Sequence, residues 1–363
     1  MKLGILKEIN DPRVAVIPAT LPKLQALGVE ILVEKGAGST AHYHDDNYSD
    51  HASLHDRATI VQQADILLSI YPIPEAEWKK VKPDALLIAQ FEPFNDTTIV
   101  DRLNEHNLRA FSMDMIPRTT LAQSMDVLSS MASIAGYKAV LEGARLLPRY
   151  LPMMITAAGS IRPAQVLVLG AGVAGLQAIA TARRLGAMVE AFDTRAAAKE
   201  EVLSLGAKFV EVKGATDDTG AGGYAVAQSE DFLKRQRAEV QARAMKSDIV
   251  ITTAQVRGRK APLLVPKSTL DQMKPGSVVV DLAASTGGNC EVSENNKVIT
   301  YNGITVLGNS QLAALMPQDA SQLYSNNVLN FLKFFIKEGQ LELDFDQEII
   351  SGAYITEKPT PNE

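Results

Sequence analysis

The run Gly170-Ala171-Gly172-Val173-Ala174-Gly175 sets three glycines at G-x-G-x-x-G spacing. At that spacing the first glycine permits a tight turn, the second lets a pyrophosphate approach the backbone, and the third lets a helix pack on a strand. A helix beginning there turns unpaired N–H groups and its positive dipole end toward phosphate. Val166 to Leu169 reads as a buried strand before the run, and Asp193 closes the next apolar stretch, Val189 to Phe192. Asp193 is expected to accept hydrogen bonds from the adenosine ribose hydroxyls and to repel a 2′-phosphate, a choice of NAD(H) over NADP(H). Arg195 argues the other way, because an arginine there can favour the 2′-phosphate. The competing reading is a glycine-rich strand-to-helix turn that binds nothing.

What is missing matters as much. The five histidines are His42, His44, His51, His55 and His106, so no imidazole follows position 106. His51 and His55 share helical spacing but lack the glutamate of H-E-x-x-H, and Asp45, Asp46, Asp50 and Asp56 make the stretch polar; no metal site is expected. The single thiol, Cys290, is expected to be a packed small residue rather than a nucleophile. Oxidising an alcohol or an amine requires a base to take the proton. Hydride exchange between two nicotinamides requires none, and positioning with exclusion of water can carry it.

Elements must hold these residues in place. The chain has 363 residues, which predicts two or three domains. Its composition, 46% hydrophobic and 21% charged, is that of a globular protein, and the net charge of −6 argues against a nucleic-acid surface. One cysteine permits no internal disulfide, and the N-terminus lacks the apolar core of a signal peptide, so the cytoplasm is expected. Pro163 to Ala182 is uncharged and long enough to span a bilayer. Its break at Gly170 instead predicts a strand followed by a helix. The first ~110 residues alternate strand-like and helix-like runs: Lys2–Leu6, Leu21–Leu27, Val29–Val33, Ala64–Ile70 and Ala85–Ala89. A helix is expected over 121–147, then a second series at Val166–Leu169, Gly175–Leu185, Val189–Phe192, Ala197–Leu205, Phe209–Val212, Ile249–Thr253 and Val278–Leu282. Leu323–Ile336 is read as a late helix that packs back on the first domain. The expected fold is α/β: two Rossmann-like doubly wound domains with mainly parallel sheets, joined by long helices. Residues 1–122 with 315–363 form the outer domain, and 123–314, with the linking helix 121–147, the nucleotide-binding one. A second glycine cluster, Gly214 to Tyr224, reads equally as a mobile loop over a ligand or a solvated turn.

Several runs resemble a known family. Arg118-Thr-Thr-Leu-Ala-Gln123-Ser-Met-Asp126-Val-Leu-Ser129, the glycine run, Asp193-Thr194-Arg195, Gly222-Gly-Tyr224-Ala, Asp248-Ile-Val-Ile-Thr-Thr-Ala, Gly258-Arg-Lys-Ala-Pro262, Val280-Asp-Leu-Ala and Gly287-Gly-Asn-Cys290 are similar to the NAD(H)-binding component, domain I, of proton-translocating nicotinamide nucleotide transhydrogenases. The resemblance covers nearly the whole chain. It implies hydride exchange between NAD(H) on this chain and NADP(H) on a separate domain III, coupled to proton movement through a membrane domain II. It also implies a homodimer, without a membrane span of its own, held at the inner face of the membrane by its partners. Arg118, Gln123, Asp126 and Ser129 would surround the nicotinamide, with Gln123 orienting the ring and Thr119, Thr120, Ser124 and Met125 nearby. Gly172 and Val173 would meet the pyrophosphate, on a cofactor-binding turn with Gly170, Ala171 and Gly175, and Asp193, with Thr194 and Arg195, the adenosine ribose and nearby groups. Gly223, Tyr224 and Gln236 would belong to a mobile loop and its flank, and Gln255 to the adenine–ribose region.

Ser285-Thr286 and Leu312–Met316 depart from the family's usual acidic and arginine-bearing stretches. Alanine dehydrogenase is the rival enzyme. Arg13 sits where it uses an arginine for the substrate carboxylate, but its lysine and histidine fall near Tyr71 and Glu92 here. Without them Arg13 is expected to form a surface or domain-bracing salt bridge. A third reading is a nucleotide-binding regulatory module that performs no chemistry.

Overall fold

The computed structural model describes residues 1–212 and 229–358. The chain folds as two compact α/β units, residues 1–131 with 314–363, and residues 132–313.

In the first unit six strands, β1 (Lys2–Ile5), β2 (Glu30–Glu34), β3 (Ser53–His55), β4 (Ile66–Leu68), β5 (Leu86–Ala89) and β6 (Arg109–Ser112), form one sheet in the order β3-β2-β1-β4-β5-β6. Every pair is parallel. Parallel sheets are covered on both faces, so the central strands carry apolar residues at every position. Leu3, Ile5, Ile66, Leu68, Leu86 and Ile88 point into one core. Their neighbours Leu67 and Leu87 join Ile60, Trp78 and Leu103 in the other. The late helix, Pro317–Phe335, covers the first face with Tyr324, Val328, Phe331, Leu332 and Phe335. It begins earlier than expected because Pro317 suits the first helical turn, where the missing N–H has no role. Phe111 stacks edge-on against Phe331 and Tyr354, each at a 5.1 Å centroid distance, which fastens the C-terminal segment to β6.

In the second unit the linking helix is followed by a two-stranded hairpin, β7 (Met154–Thr156) and β8 (Gly159–Ile161). Its main sheet comprises β9 (Gln165–Leu169), β10 (Met188–Phe192), β11 (Lys208–Phe209), β12 (Ile249–Thr252), β13 (Val278–Asp281), β14 (Lys297–Tyr301) and β15 (Ile304–Gly308). The order is β11-β10-β9-β12-β13-β15-β14, parallel throughout except where β14 runs antiparallel to β15. The uncharged stretch 163–182 is β9, a glycine turn and part of the helix Val173–Arg184. No helix among the described residues is long and apolar enough to cross a membrane.

The linking helix is shorter than the expected 121–147. It runs over Val127–Leu146, and Gln123–Met125 is a separate 3-10 turn. The side chain of Asp126 stops the helix from extending backward: Oδ1 accepts from the Ser129 N–H at 2.9 Å and Oδ2 from the Ser129 hydroxyl at 2.6 Å. That is an N-cap, and it satisfies a donor that a longer helix would have paired. The division between units falls at 131/132 rather than 122/123, since Met125 and Val127 are buried in the first unit's core.

Candidate functional site

The glycine turn sits at the carboxyl end of β9, the central strand from which the order runs outward both ways. In open α/β sheets this switch point is where ligands bind. Gly170 turns the chain at φ +103°, a conformation that favours glycine. Gly172 is the N-cap of Val173–Arg184, and a Cβ built on it would meet no atom within 4 Å. No side chain caps this helix end. Its first N–H groups therefore open onto space beside Gly172 and the half-exposed Val173. Gly175 faces inward, where a Cβ would overlap the carbonyl oxygen of Gly170. Gly136, on the linking helix, likewise admits the carbonyl of Ala174, which fixes the start of the helix Val173–Arg184 from behind. These open donors and the close approach at Gly172 fit a dinucleotide pyrophosphate.

Asp193 follows β10, but its carboxylate is already engaged. Oδ2 accepts from the Ala171 N–H at 2.7 Å and from Arg195 Nη2 at 3.1 Å. Oδ1 accepts from the Arg195 N–H at 2.8 Å and its Nε at 3.0 Å. Burial alone would raise the Asp193 pKa, yet these donors from Arg195 and Ala171 hold it below the usual carboxylate range. Thr194, between the two in the chain, is exposed. Thr253, after β12, donates its hydroxyl to the Gly170 carbonyl at 3.1 Å, a second brace on the turn. Gln255 is exposed and donates Nε2 to the Leu282 carbonyl at 2.8 Å. Gln236 lies on the helix Glu230–Ala244. Gly223 and Tyr224 fall outside the described residues.

In the first unit the segment 118–129 is held by its own polar groups. The Ala122 N–H donates to Thr119 Oγ1 at 3.3 Å, Met125 is buried, and Asp126 is committed to Ser129. Asn327 and Asn330 both donate side-chain N–H groups to the Ser124 carbonyl, at 2.8 and 3.2 Å. Arg118, Thr120 and Gln123 are exposed; among the described residues the side chains of Arg118 and Gln123 make no hydrogen bond. The segment thus presents one guanidinium and one amide on a pinned turn, while Asp126 and Ser129 do the pinning.

Two family models together match nearly the whole chain. The alanine dehydrogenase/PNT N-terminal domain matches residues 4–135 and the C-terminal domain residues 139–360. The chain belongs to that family. It is 40% identical to the NAD(P) transhydrogenase subunit alpha of Cereibacter sphaeroides, over 98% of this chain and 70% of the relative. The corresponding subunit of Haemophilus influenzae is 38% identical, over 98% of this chain and 70% of its own length. A crystal structure of transhydrogenase from Sinorhizobium meliloti matches with a TM-score of 0.90 at 41% identity, covering 98% of each chain. L-alanine dehydrogenase shares the fold, with a TM-score of 0.78 at 24% identity over 98% of this chain and 94% of its own. Within the alanine dehydrogenase/PNT family, sequence therefore sets this chain with the transhydrogenases.

Arg13 is not at the surface. It is 4% exposed and pairs bidentately with Asp11, Nη2 to Oδ2 at 2.7 Å and Nε to Oδ1 at 2.9 Å. Nη2 also donates to the Tyr71 hydroxyl at 3.2 Å, and the guanidinium lies 5.7 Å from the Tyr71 ring centroid. A fork so occupied offers little to a substrate carboxylate. Nearby, Glu8 accepts from the N–H groups of Ile70 at 2.6 Å and Tyr71 at 3.2 Å. Burial still pushes its carboxyl up to about 7, against those N–H groups. The folded chain therefore keeps a proton that the unfolded chain, titrating near 4.5, has released. Between those two values stability should fall as pH rises, by up to about 3 kcal/mol in total, with no further loss from this group above. Urea unfolding at a series of pH values should show that slope, and Glu8→Gln should flatten it.

Asp281 and Asn289 do not stand out as working residues in the sequence, although both lie in matched runs. Both are fully buried. Asp281 accepts from Thr252 Oγ1 and from the N–H groups of Ala283, Asn289 and Cys290, at 2.9 to 3.1 Å. Asn289 bonds Ala254 through both N–H and carbonyl and donates to the Pro262 carbonyl. An aspartate ending an all-apolar strand was the available signal. Cys290 is 1% exposed, and burial pushes its thiol up to about 12, which makes it a packed residue and a poor nucleophile.

Proposed function

We propose that this chain is the NAD(H)-binding component of a proton-translocating transhydrogenase. It holds NAD(H) at the glycine turn and exchanges hydride with NADP(H) on a partner domain III, while a membrane domain II carries the coupled protons. The observation that carries the reading is the uncapped helix end at Gly172, open to solvent on a turn otherwise braced on every side. The bound nicotinamide supplies the hydride-carrying carbon. The residues of this chain bind, orient and exclude water. Helix N–H groups after Gly172 take the pyrophosphate, Asp193 with Arg195 frames the adenosine ribose, and Gln123 orients the nicotinamide with Arg118 beside it.

No histidine lies in the second unit and its one thiol is buried, which supports a reaction that transfers no proton to a side chain. The occupied Arg13 fork supports the same choice over alanine oxidation. A homodimer, attached to the membrane through its partners, completes the proposal. It is supported by the uncharged stretch 150–161, where Tyr150, Met153 and Ile155 are 54%, 58% and 73% exposed.

Mixing the chain with NADP(H)-loaded domain III should start hydride exchange, and NAD+ with alanine should give none. Gln123→Ala should slow reconstituted exchange by roughly a hundredfold while NADH affinity changes little, because misorientation acts on the transfer step. Rapid alanine-dependent NAD+ reduction would overturn the reading. Unchanged exchange with weakened NADH binding would reduce Gln123 to a binding contact.

A further inference from the structure

The Asp193–Arg195 pair carries more than a ribose contact. A carboxylate offers about four acceptor positions on its two oxygens. The N–H groups of Ala171 and Arg195, with Nε and Nη2 of the Arg195 guanidinium, supply four donors to Asp193. Its side chain is only 9% exposed, whereas that of Arg195 is 37% exposed. Arg195 Nη1 has no hydrogen-bond partner among the described residues. Glu201 draws on the same guanidinium through space. The arginine that the sequence flagged as suited to a 2′-phosphate is therefore present and placed at the turn. It is neutralised by its neighbour.

We infer that Asp193 sets cofactor choice by locking Arg195, so that this site is a latent 2′-phosphoadenosine site held closed by one carboxylate. With the lock in place the Nε–Nη2 fork of Arg195 is spent and its charge is offset by Asp193, so a dianionic 2′-phosphate meets the carboxylate with little net positive charge beside it. With the carboxylate gone, the same fork is free to take phosphate bidentately. Direct repulsion by Asp193 alone would give the same preference but would not need Arg195. The inference rests on the reading of the turn as an NAD(H) site, and the test separates the two.

The full-length chain is titrated by calorimetry with NADH, 5′-AMP and adenosine 2′,5′-bisphosphate. Wild type should bind NADH and 5′-AMP and discriminate against the bisphosphate. Asp193→Asn, which keeps an oxygen for the Ala171 N–H, should bind the bisphosphate roughly 10- to 100-fold more tightly than wild type does, the range for a freed charge-assisted pair. In the double variant Asp193→Asn, Arg195→Gln that gain should vanish. If Asp193→Asn shows no gain, or if the double variant keeps it, the lock is wrong and the NAD(H) reading stands. If wild type binds neither NADH nor 5′-AMP, the site reading fails and takes the lock with it. Circular dichroism checks folding, and Asp193→Ser read the same way decides the matter should the asparagine variant not fold.

Discussion

Gly172→Ala and Gly175→Ala are expected to fail in opposite ways although they lie in the same turn. At Gly172 the backbone has φ −76°, which any residue adopts, and a Cβ there has open space around it. Alanine is a poorer N-cap than glycine, so the cost without ligand should stay under about 1 kcal/mol. For units of this size that shifts the melting temperature by no more than about 4 °C. The added methyl stands where phosphate must approach the helix N–H groups. Loss of one or two charge-assisted hydrogen bonds should weaken NADH binding by roughly 10- to 100-fold.

At Gly175 the clash is with the carbonyl carbon and oxygen of Gly170. Both partners are backbone, and no rotamer change can relieve them. Overpacking there should cost roughly 3 kcal/mol, which lowers the melting temperature by about 6–12 °C. Thermal melts without ligand, followed by NADH titration of whatever folds, read both effects. Equal loss of stability in the two variants would mean that Gly172 is not open to solvent. Undiminished NADH binding by a folded Gly172→Ala would remove the phosphate from this helix end.

What the sequence made legible has physical causes. The central strands are readable because parallel strands buried on both faces must be continuously apolar, as Val166–Leu169 and the run 249–251 are. The glycine turn is readable because Gly170 needs a positive φ, Gly175 excludes a Cβ, and Gly172 leaves open the space beside the helix N–H groups. The helix Glu230–Ala244 leaves little trace, since only Phe232, Val240 and Ala244 are buried, too few for an apolar stripe. The edge hairpin β14–β15 did carry a usable sign. Asn302 and Gly303 have φ of +49° and +79°, as an Asn-Gly hairpin turn requires. The linking helix starts at 127 rather than 121 although Leu121 to Met125 contains no breaker. An aspartate side chain ends that helix, and such local competition is visible only in coordinates. The roles of Asp126 and Asp193 were hidden for the same reason: a carboxylate's type is printed in the sequence, but its partners are not.

Asp281→Ala should be the most damaging single change at the edge of the nucleotide site. The carboxylate is fully buried and serves three backbone N–H groups and the Thr252 hydroxyl. Alanine leaves those donors without partners in the interior, at about 1–3 kcal/mol each, so a total on the order of 4 kcal/mol is expected after partial relaxation. Asp281→Asn keeps one oxygen, but its amide then faces either Thr252 with Ala283 or Asn289 with Cys290. It should lose about half as much. The consequence for function runs through Asn289, which ties Ala254 and Pro262 to the strand end and so shapes the loop that carries Gln255. Urea unfolding should rank the three chains wild type, asparagine, alanine, and NADH affinity measured at low urea should follow the same order. Should Asp281→Ala unfold at the wild-type midpoint, water has replaced the carboxylate, and the loop is held by its strand ends alone.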